Sequence, residues 1–240
     1  MENKIKKEDI ANKYNDMDYI WNKNDSWHYY TFLTIKKNLK ALSEKYFQDA
    51  KLILNAGSAG NGYELFLDQI HLDISDKKLE NIENAIVADV CDIPIENDTF
   101  DVCICVGSVV NYCDVVQAIK ELKRVTVPGG YVIIEYETSN SLEYKKTPYY
   151  KKNVGLASTF YNGQEEKIYV YSQDYINSIL THLNLKKIEE TGFHLFTSGA
   201  YNLLHSEEKA IKFTCWDFLT KVKLFRRYAS NIILVCRKPF

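Results

Sequence analysis

The sequence predicts an α/β fold, a parallel sheet with helices on its faces, and two observations predict it. Short apolar runs suited to buried strands recur at 51–57, 70–74, 85–90, 99–108 and 131–137, and helix-length stretches separate most of them. A glycine-rich turn, ILNAGSAGNG at 53–62, follows the first run. Right-handed crossovers between such strands bring their C-terminal ends to one edge, where sheets of this kind bind ligands.

Each element has its own signal. Residues 1–48 read as helical, an acidic and lysine-rich start followed by a stripe of Tyr30, Leu33, Leu39, Leu42 and Tyr46. KLILNAG (51–57) is the first strand, and GNGYELFLDQI (60–70) reads as the helix after it. QIHLDI and AIVADV supply strands two and three. In TFDVCICVGS (99–108) Val102, Ile104 and Val106 alternate along strand four. NYCDVVQAIKELKRV (111–125) is a helix stopped by Pro128-Gly129-Gly130, and YVIIEYE (131–137) is strand five. Residues 138–170 are polar and rich in Tyr and Lys, without a long helical stripe. A helix at about 173–184, a strand at about 186–195, an amphipathic helical stretch at 201–228 and a last strand at 231–239 complete the chain.

Composition narrows the function. Lys and Arg number 30 against 32 Asp and Glu, a formal charge of -2, so no global field recruits a polyanion, and nucleic acid is excluded as a first choice. No stretch is apolar enough for a secretion signal or a membrane span, which predicts no stable membrane insertion. Six scattered Cys without CxxC spacing read as reduced thiols of a cytoplasmic protein with no metal site. The 18 Tyr, against 11 Phe and 3 Trp, need homes that are partly apolar and partly polar.

The glycine turn carries the strongest chemical signal. Gly57 and Gly60, with Ser58 and Ala59 between them, let the backbone approach a ligand. No Gly-Lys-Ser/Thr follows, so it is not a P-loop, and Ala59 breaks the GxGxxG dinucleotide pattern. Asp73 ends strand two, where a carboxylate accepts two ribose hydroxyls, with Ile74 beside it. Asp89, next to Val90, ends strand three within reach of an adenine edge. Each acid alone also reads as a cap or a solvated turn.

Together these segments resemble the class I S-adenosylmethionine-dependent methyltransferases, of the small-molecule type related to quinone biosynthesis. LNAGSAGNG is similar to the family's first motif, with Asn55 where an acid is usual and Ala59 where a glycine is usual. LDIS (72–75), ADVCDIPIENDTFD (88–101) and VTVPGGYVIIEYE (125–137) are similar to the later motifs. The resemblance implies a Rossmann-like sheet of seven strands, mostly parallel with an antiparallel last strand, flanking helices and a small substrate cap. It also implies S-adenosylmethionine as donor, leaving S-adenosylhomocysteine, and a small-molecule acceptor with an O, N or C nucleophile. Asn55 then binds the loop, and Val106 and Gly107 border the methionine part of the donor. A nicotinamide oxidoreductase or a non-catalytic nucleoside-binding protein of the same fold are the alternatives.

The chain is then one domain, 1–240, as a monomer or homodimer: a helical cover at 1–48, a cofactor core at 50–137, and cap segments at 138–170 and 197–229. Tyr19 is expected to close the cofactor site and Asn111 to contact the ligand or cap a helix. His28, Tyr112 and Glu135 are the candidates for acceptor handling, with Glu137 on the same strand face as Glu135. Tyr149, Tyr150, Tyr161, Tyr169 and Tyr171 offer stacking surfaces in the cap or pack its loops. KVKLFRRY (221–228) reads as a solvated helix face, with a membrane surface or an anionic substrate as the other reading.

Overall fold

The computed structural model describes residues 5–65, 67–161 and 164–240. Residues 1–4, 66, 162 and 163, which belong to the expected N-terminal helix, first crossover helix and polar cover, lie outside the described residues. Before the sheet come α1 (Lys7–Asp16) and α2 (Ser26–Tyr46). The sheet then begins with β1 (Ile53–Ala56), β2 (Gln69–Asp73), the short α3 (Asp76–Leu79), β3 (Ala85–Val87) and β4 (Phe100–Cys105). Helix α4 (Val115–Val125) leads into β5 (Thr126–Glu137), and a hairpin of β6 (Val154–Tyr161) and β7 (Gln164–Tyr171) follows. The chain continues through α5 (Gln173–His182), β8 (Lys186–Phe193) and α6 (Leu195–Leu204). Two short helices, α7 (Glu207–Ala210) and α8 (Lys223–Arg226), flank a 3-10 helix at Ile211–Lys221, and β9 (Asn231–Arg237) ends the sheet.

The seven strands lie in the order β3-β2-β1-β4-β5-β9-β8. The first five are mutually parallel, and β9 enters antiparallel to both β5 and β8, as the resemblance implies. Each face has its own core. On one face α4 sets Ala118, Ile119 and Leu122 against Leu54, Cys103 and Val132, with Ile176 and Ile179 of α5 beside them. On the other, Ile35, Leu39 and Leu42 of α2 meet Ile53, Val102, Ile104 and Ile133. Leu33, expected in that stripe, is exposed. The helices start where side chains satisfy their first amides: Asp25 caps α2, Asp114 caps α4 and Ser172 caps α5.

Two expectations, the helices at 60–70 and at 201–228, are corrected. Among the described residues of 60–70 there is no helix. Tyr63 and Glu64 take positive φ (52° and 54°), Asn61 Oδ1 accepts from Tyr63 N at 2.8 Å, and Asn55 Nδ2 donates to Asn61 O and to Gln69 Oε1, both at 2.9 Å. Side-chain bonds thus replace the helical ladder. The second half of the polar 138–170 segment, expected without a long helix, forms the β6–β7 hairpin, a separate two-stranded sheet. The 201–228 stretch is broken into short helical pieces rather than one helix. Among the described residues no helix is long and apolar enough to cross a membrane.

Candidate active site

The parallel strands end at one edge, and each delivers a residue to one cavity of about 780 Å³. Gly57, Ser58 and Ala59 follow β1, Asp73 and Ile74 close β2, and Asp89 and Val90 come after β3. Val106, Gly107 and Ser108 follow β4, and Glu137 ends β5. The opposite wall comes from α1 (Ile10, Tyr14), from the start of α2 (Trp27, His28, Thr31) and from the hairpin (Tyr161, Glu166). The volume suits a ligand pair of drug-like size.

At one end, Asp73 organises the loop. Its Oδ2 accepts from Ala59 N at 2.7 Å and its Oδ1 from Ser75 N at 2.9 Å. Burial raises its pKa, and the amides of Ser75, Ala59 and Ile74 oppose that rise. Each carboxylate oxygen keeps acceptor capacity beyond these amides, which fits a pair of hydroxyl donors. Asp89 Oδ1 accepts from Cys91 N at 2.9 Å, and its Oδ2 lies 3.4 Å from Lys7 Nζ. Helix α1 is tied down across this end, where Asn15 Oδ1 accepts from Ser75 Oγ at 2.5 Å and Lys78 donates to Met17 O.

The other end is aromatic and acidic. His28 Nδ1 pairs with Asp25 Oδ2 at 2.8 Å, which leaves Nε2 as the acceptor of the neutral ring. The Tyr161 ring meets His28 edge-on at 4.7 Å. Tyr112 Oη donates to Glu166 Oε1 at 2.8 Å, and Lys13 of α1 also pairs with Glu166. Two hydroxyls donate to the Glu137 carboxylate, Ser108 Oγ at 3.1 Å and Tyr144 Oη at 3.4 Å. Burial, then the charges of Glu143 and Glu135, push its pKa up to about 7. Trp27 stacks on the buried His194 at 4.2 Å, and His194 Nε2 bonds Thr31 Oγ1 at 2.9 Å. Burial drives that imidazole down to about 3, so it stays neutral and holds Trp27 and Thr31 in place.

Five expected site residues lie elsewhere. Glu135 is fully buried, its oxygens taken by Ser108 N at 2.6 Å and Asn231 Nδ2 at 2.7 Å; Glu137, two residues nearer the strand end, reaches the cavity instead. Asn111 is also buried, donating to Glu137 O at 3.2 Å and Tyr169 O at 2.5 Å, so it pins β5 to β7; Asp114, not Asn111, caps α4. Asn55 sits behind the glycine loop. Gly60 abuts the chain at Lys78 O, which a Cβ there would approach to 2.6 Å. Tyr19 is 74% exposed and outside the cavity, whereas Ile20 and Trp21 line it. Of the five cap tyrosines only Tyr161 lines it; Tyr149 and Tyr150 pack under the hairpin, and Tyr171 Oη bonds Val110 O at 3.2 Å. No local signal marks Thr31, Glu166 or Asn231 as partners, because three separate elements, α2, β7 and β9, supply them.

Residues 54–134 match a family described as a methyltransferase domain. A protein of Pyrococcus horikoshii superposes with a TM-score of 0.61 at 15% identity, over 95% of this chain and 99% of that one. The fold is that of the S-adenosylmethionine-dependent methyltransferases. A methyltransferase described as such from Archaeoglobus fulgidus aligns with a TM-score of 0.55 at 15% identity, covering 86% and 94% of the two chains. The Burkholderia thailandensis 1,6-didemethyltoxoflavin-N1-methyltransferase, whose structure holds that acceptor and S-adenosylhomocysteine, aligns with a TM-score of 0.59 at 11% identity, over 98% and 87%. A search of curated proteins returns no match. The matched stretch contains the strand ends that build the Asp73 side of the cavity, together with Tyr112, and the other aromatic wall residues Tyr14, Trp27 and Tyr161 lie outside it.

Proposed function

We propose that the chain is an S-adenosylmethionine-dependent methyltransferase of a small molecule, working as one domain in the cytoplasm. The observation that carries this reading is a single cavity with two chemically different ends, a carboxylate-and-backbone end at the methyltransferase strand edge and an aromatic, proton-accepting end opposite. The donor fits the first end. Asp73 would take the ribose hydroxyls, Asp89 and Val90 the adenine edge, and Ile74 a face of the base. The backbone at Gly57–Ala59 and Val106–Gly107 would border the amino-acid part. When bound, this donor supplies a methyl group already activated on a sulfonium.

What remains for the protein is alignment, exclusion of water and removal of a proton. Trp27, Tyr112 and Tyr161 would hold a flat acceptor, and α1 covers the site. His28 Nε2, oriented by Asp25, accepts the proton of an N–H or O–H nucleophile. Glu137, with its pKa pushed up to about 7, would bind a cationic acceptor or take over its proton. Two proton acceptors at this end favour a nitrogen or oxygen nucleophile over a carbon one. The test is calorimetric titration with S-adenosylhomocysteine, then turnover against amines and phenols. Saturable binding, and methylation of one of these classes, is expected. Failure of the folded protein to bind either S-adenosylmethionine or S-adenosylhomocysteine overturns the reading.

A further inference from the structure

The outer side of the cap presents a different chemistry from the cavity. A 3-10 helix repeats every three residues, so the stretch Ile211–Lys221 divides its side chains into three stripes. One stripe, Ile211, Thr214, Asp217 and Thr220, turns to the body. Asp217 accepts from His194 N at 2.8 Å and Leu195 N at 3.0 Å, and Thr220 Oγ1 donates to Gly192 O at 2.6 Å. The other two stripes carry Phe213, Trp216 and Phe218 together with Lys212 and Lys221, and all five are exposed. Trp216 is 50% and Phe218 58% exposed, with their rings stacked 6.4 Å apart. The exposure continues through Val222, Leu224 and Phe225.

More than half of the large exposed apolar side chains among the described residues fall between Leu203 and Phe225. Scattered single exposures need no explanation, but a contiguous set of this kind marks a docking surface. Its charge says what docks. Within 203–228 there are six Lys and Arg against three acids, of which Asp217 is buried, in a chain whose formal net charge is -2. A second copy placed by a two-fold axis would set these cations against themselves. Aromatic rings amid lysines match the headgroup layer of an anionic bilayer, where the rings sit at the boundary and the cations meet phosphates.

We propose that this face docks the protein on an anionic lipid surface, with Trp216, Phe218 and Leu224 entering the headgroup boundary and Lys212, Lys221 and Lys223 meeting lipid phosphates. The protein then lies on the bilayer without crossing it. His194 and Asp217 connect the face to Trp27, so the docked side backs directly onto the aromatic end of the cavity.

Vesicle flotation tests this with the full chain. Vesicles of phosphatidylcholine containing about one-third phosphatidylglycerol should retain the protein, and pure phosphatidylcholine vesicles should retain it at least about tenfold less. Retention should fall as salt is raised toward about 1 M. Trp216→Ser with Phe218→Ser, and separately Lys212→Glu with Lys221→Glu and Lys223→Glu, should each weaken retention by about tenfold or more. Circular dichroism and S-adenosylhomocysteine titration check that both variants stay folded, and either variant alone suffices if the other misfolds. No retention of the wild type overturns the proposal. So does retention that both folded variants keep, or a dimer in light scattering that the Trp216 and Phe218 changes disperse without any lipid binding.

Discussion

Gly57→Ala separates two forces that hold the glycine loop. Gly57 has φ of 71°, a left-handed conformation that costs a non-glycine residue about 1–2 kcal/mol. A Cβ there would lie 2.4 Å and 2.6 Å from the two γ-methyls of Val109. That overlap costs about 1–3 kcal/mol, because Val109 lies where β4 turns into α4 and has little room to move. The close approach that requires glycine is therefore made by the protein's own side chain. The expected loss is about 2–5 kcal/mol, a fall in melting temperature of about 4–10 °C for a chain of this size. Urea and thermal unfolding measure it. Combining Gly57→Ala with Val109→Ala should return the steric share and leave the backbone share, so the double variant should be less destabilised than the two single losses added. A loss below about 0.5 kcal/mol in Gly57→Ala, or strict additivity in the pair, would refute the assignment of Val109 as the obstacle.

Three further outcomes follow from the site. Asp73→Asn turns an amide N–H toward the amide of Ala59, and S-adenosylhomocysteine affinity in calorimetry should drop about tenfold or more. His28→Gln should lower kcat by about 100-fold or more while that affinity stays within about twofold, and equal loss of both would remove His28 from proton transfer. Glu143 is held at about 7 against an ordinary 4.5, by burial first and the charge of Glu207 second. The folded chain thus binds more protons than the unfolded one between those values, and stability falls as pH rises through them. Glu143→Gln removes this share, so its urea midpoint should gain on the wild type at about pH 8 relative to about pH 5.

Strands β1, β4 and β5 are legible because burial on both faces makes them nearly continuous apolar runs. The carboxylates at the ends of β2 and β3 are legible through spacing, and Asp73 and Asp89 both line the cavity. The misread elements have tertiary causes. GNGYELFLDQ has helical periodicity, yet the side chains of Asn55, Asn61 and Gln69 bond the backbone of Asn61, Gly62 and Tyr63 where a helix would have to start. Alternation places Glu135 and Glu137 on one face without telling which of them Asn231, far along the chain, seals off. The aromatic end is the least legible part. Trp27, Tyr112 and Tyr161 meet only after α2 and the hairpin have docked, and no local pattern encodes that meeting.

Helix α2 carries a consequence for how such a protein changes over time. It is the main cover of one sheet face, through Ile35, Leu39 and Leu42, and its first turns place Trp27, His28 and Thr31 at the aromatic end of the cavity. Without a crossover helix between β1 and β2 among the described residues, that face relies on α2. A fragment lacking α2 would expose Ile53, Val102 and Ile104, so the stretch 54–134 that matches known methyltransferase domains leaves out the helix that covers one of its faces. On the proposed function, core packing and acceptor choice share one helix. A lineage that retools the acceptor end by shifting the register or tilt of α2 pays in core packing, whereas side-chain swaps in its first two turns leave the core alone, so acceptor preference is free to drift there first.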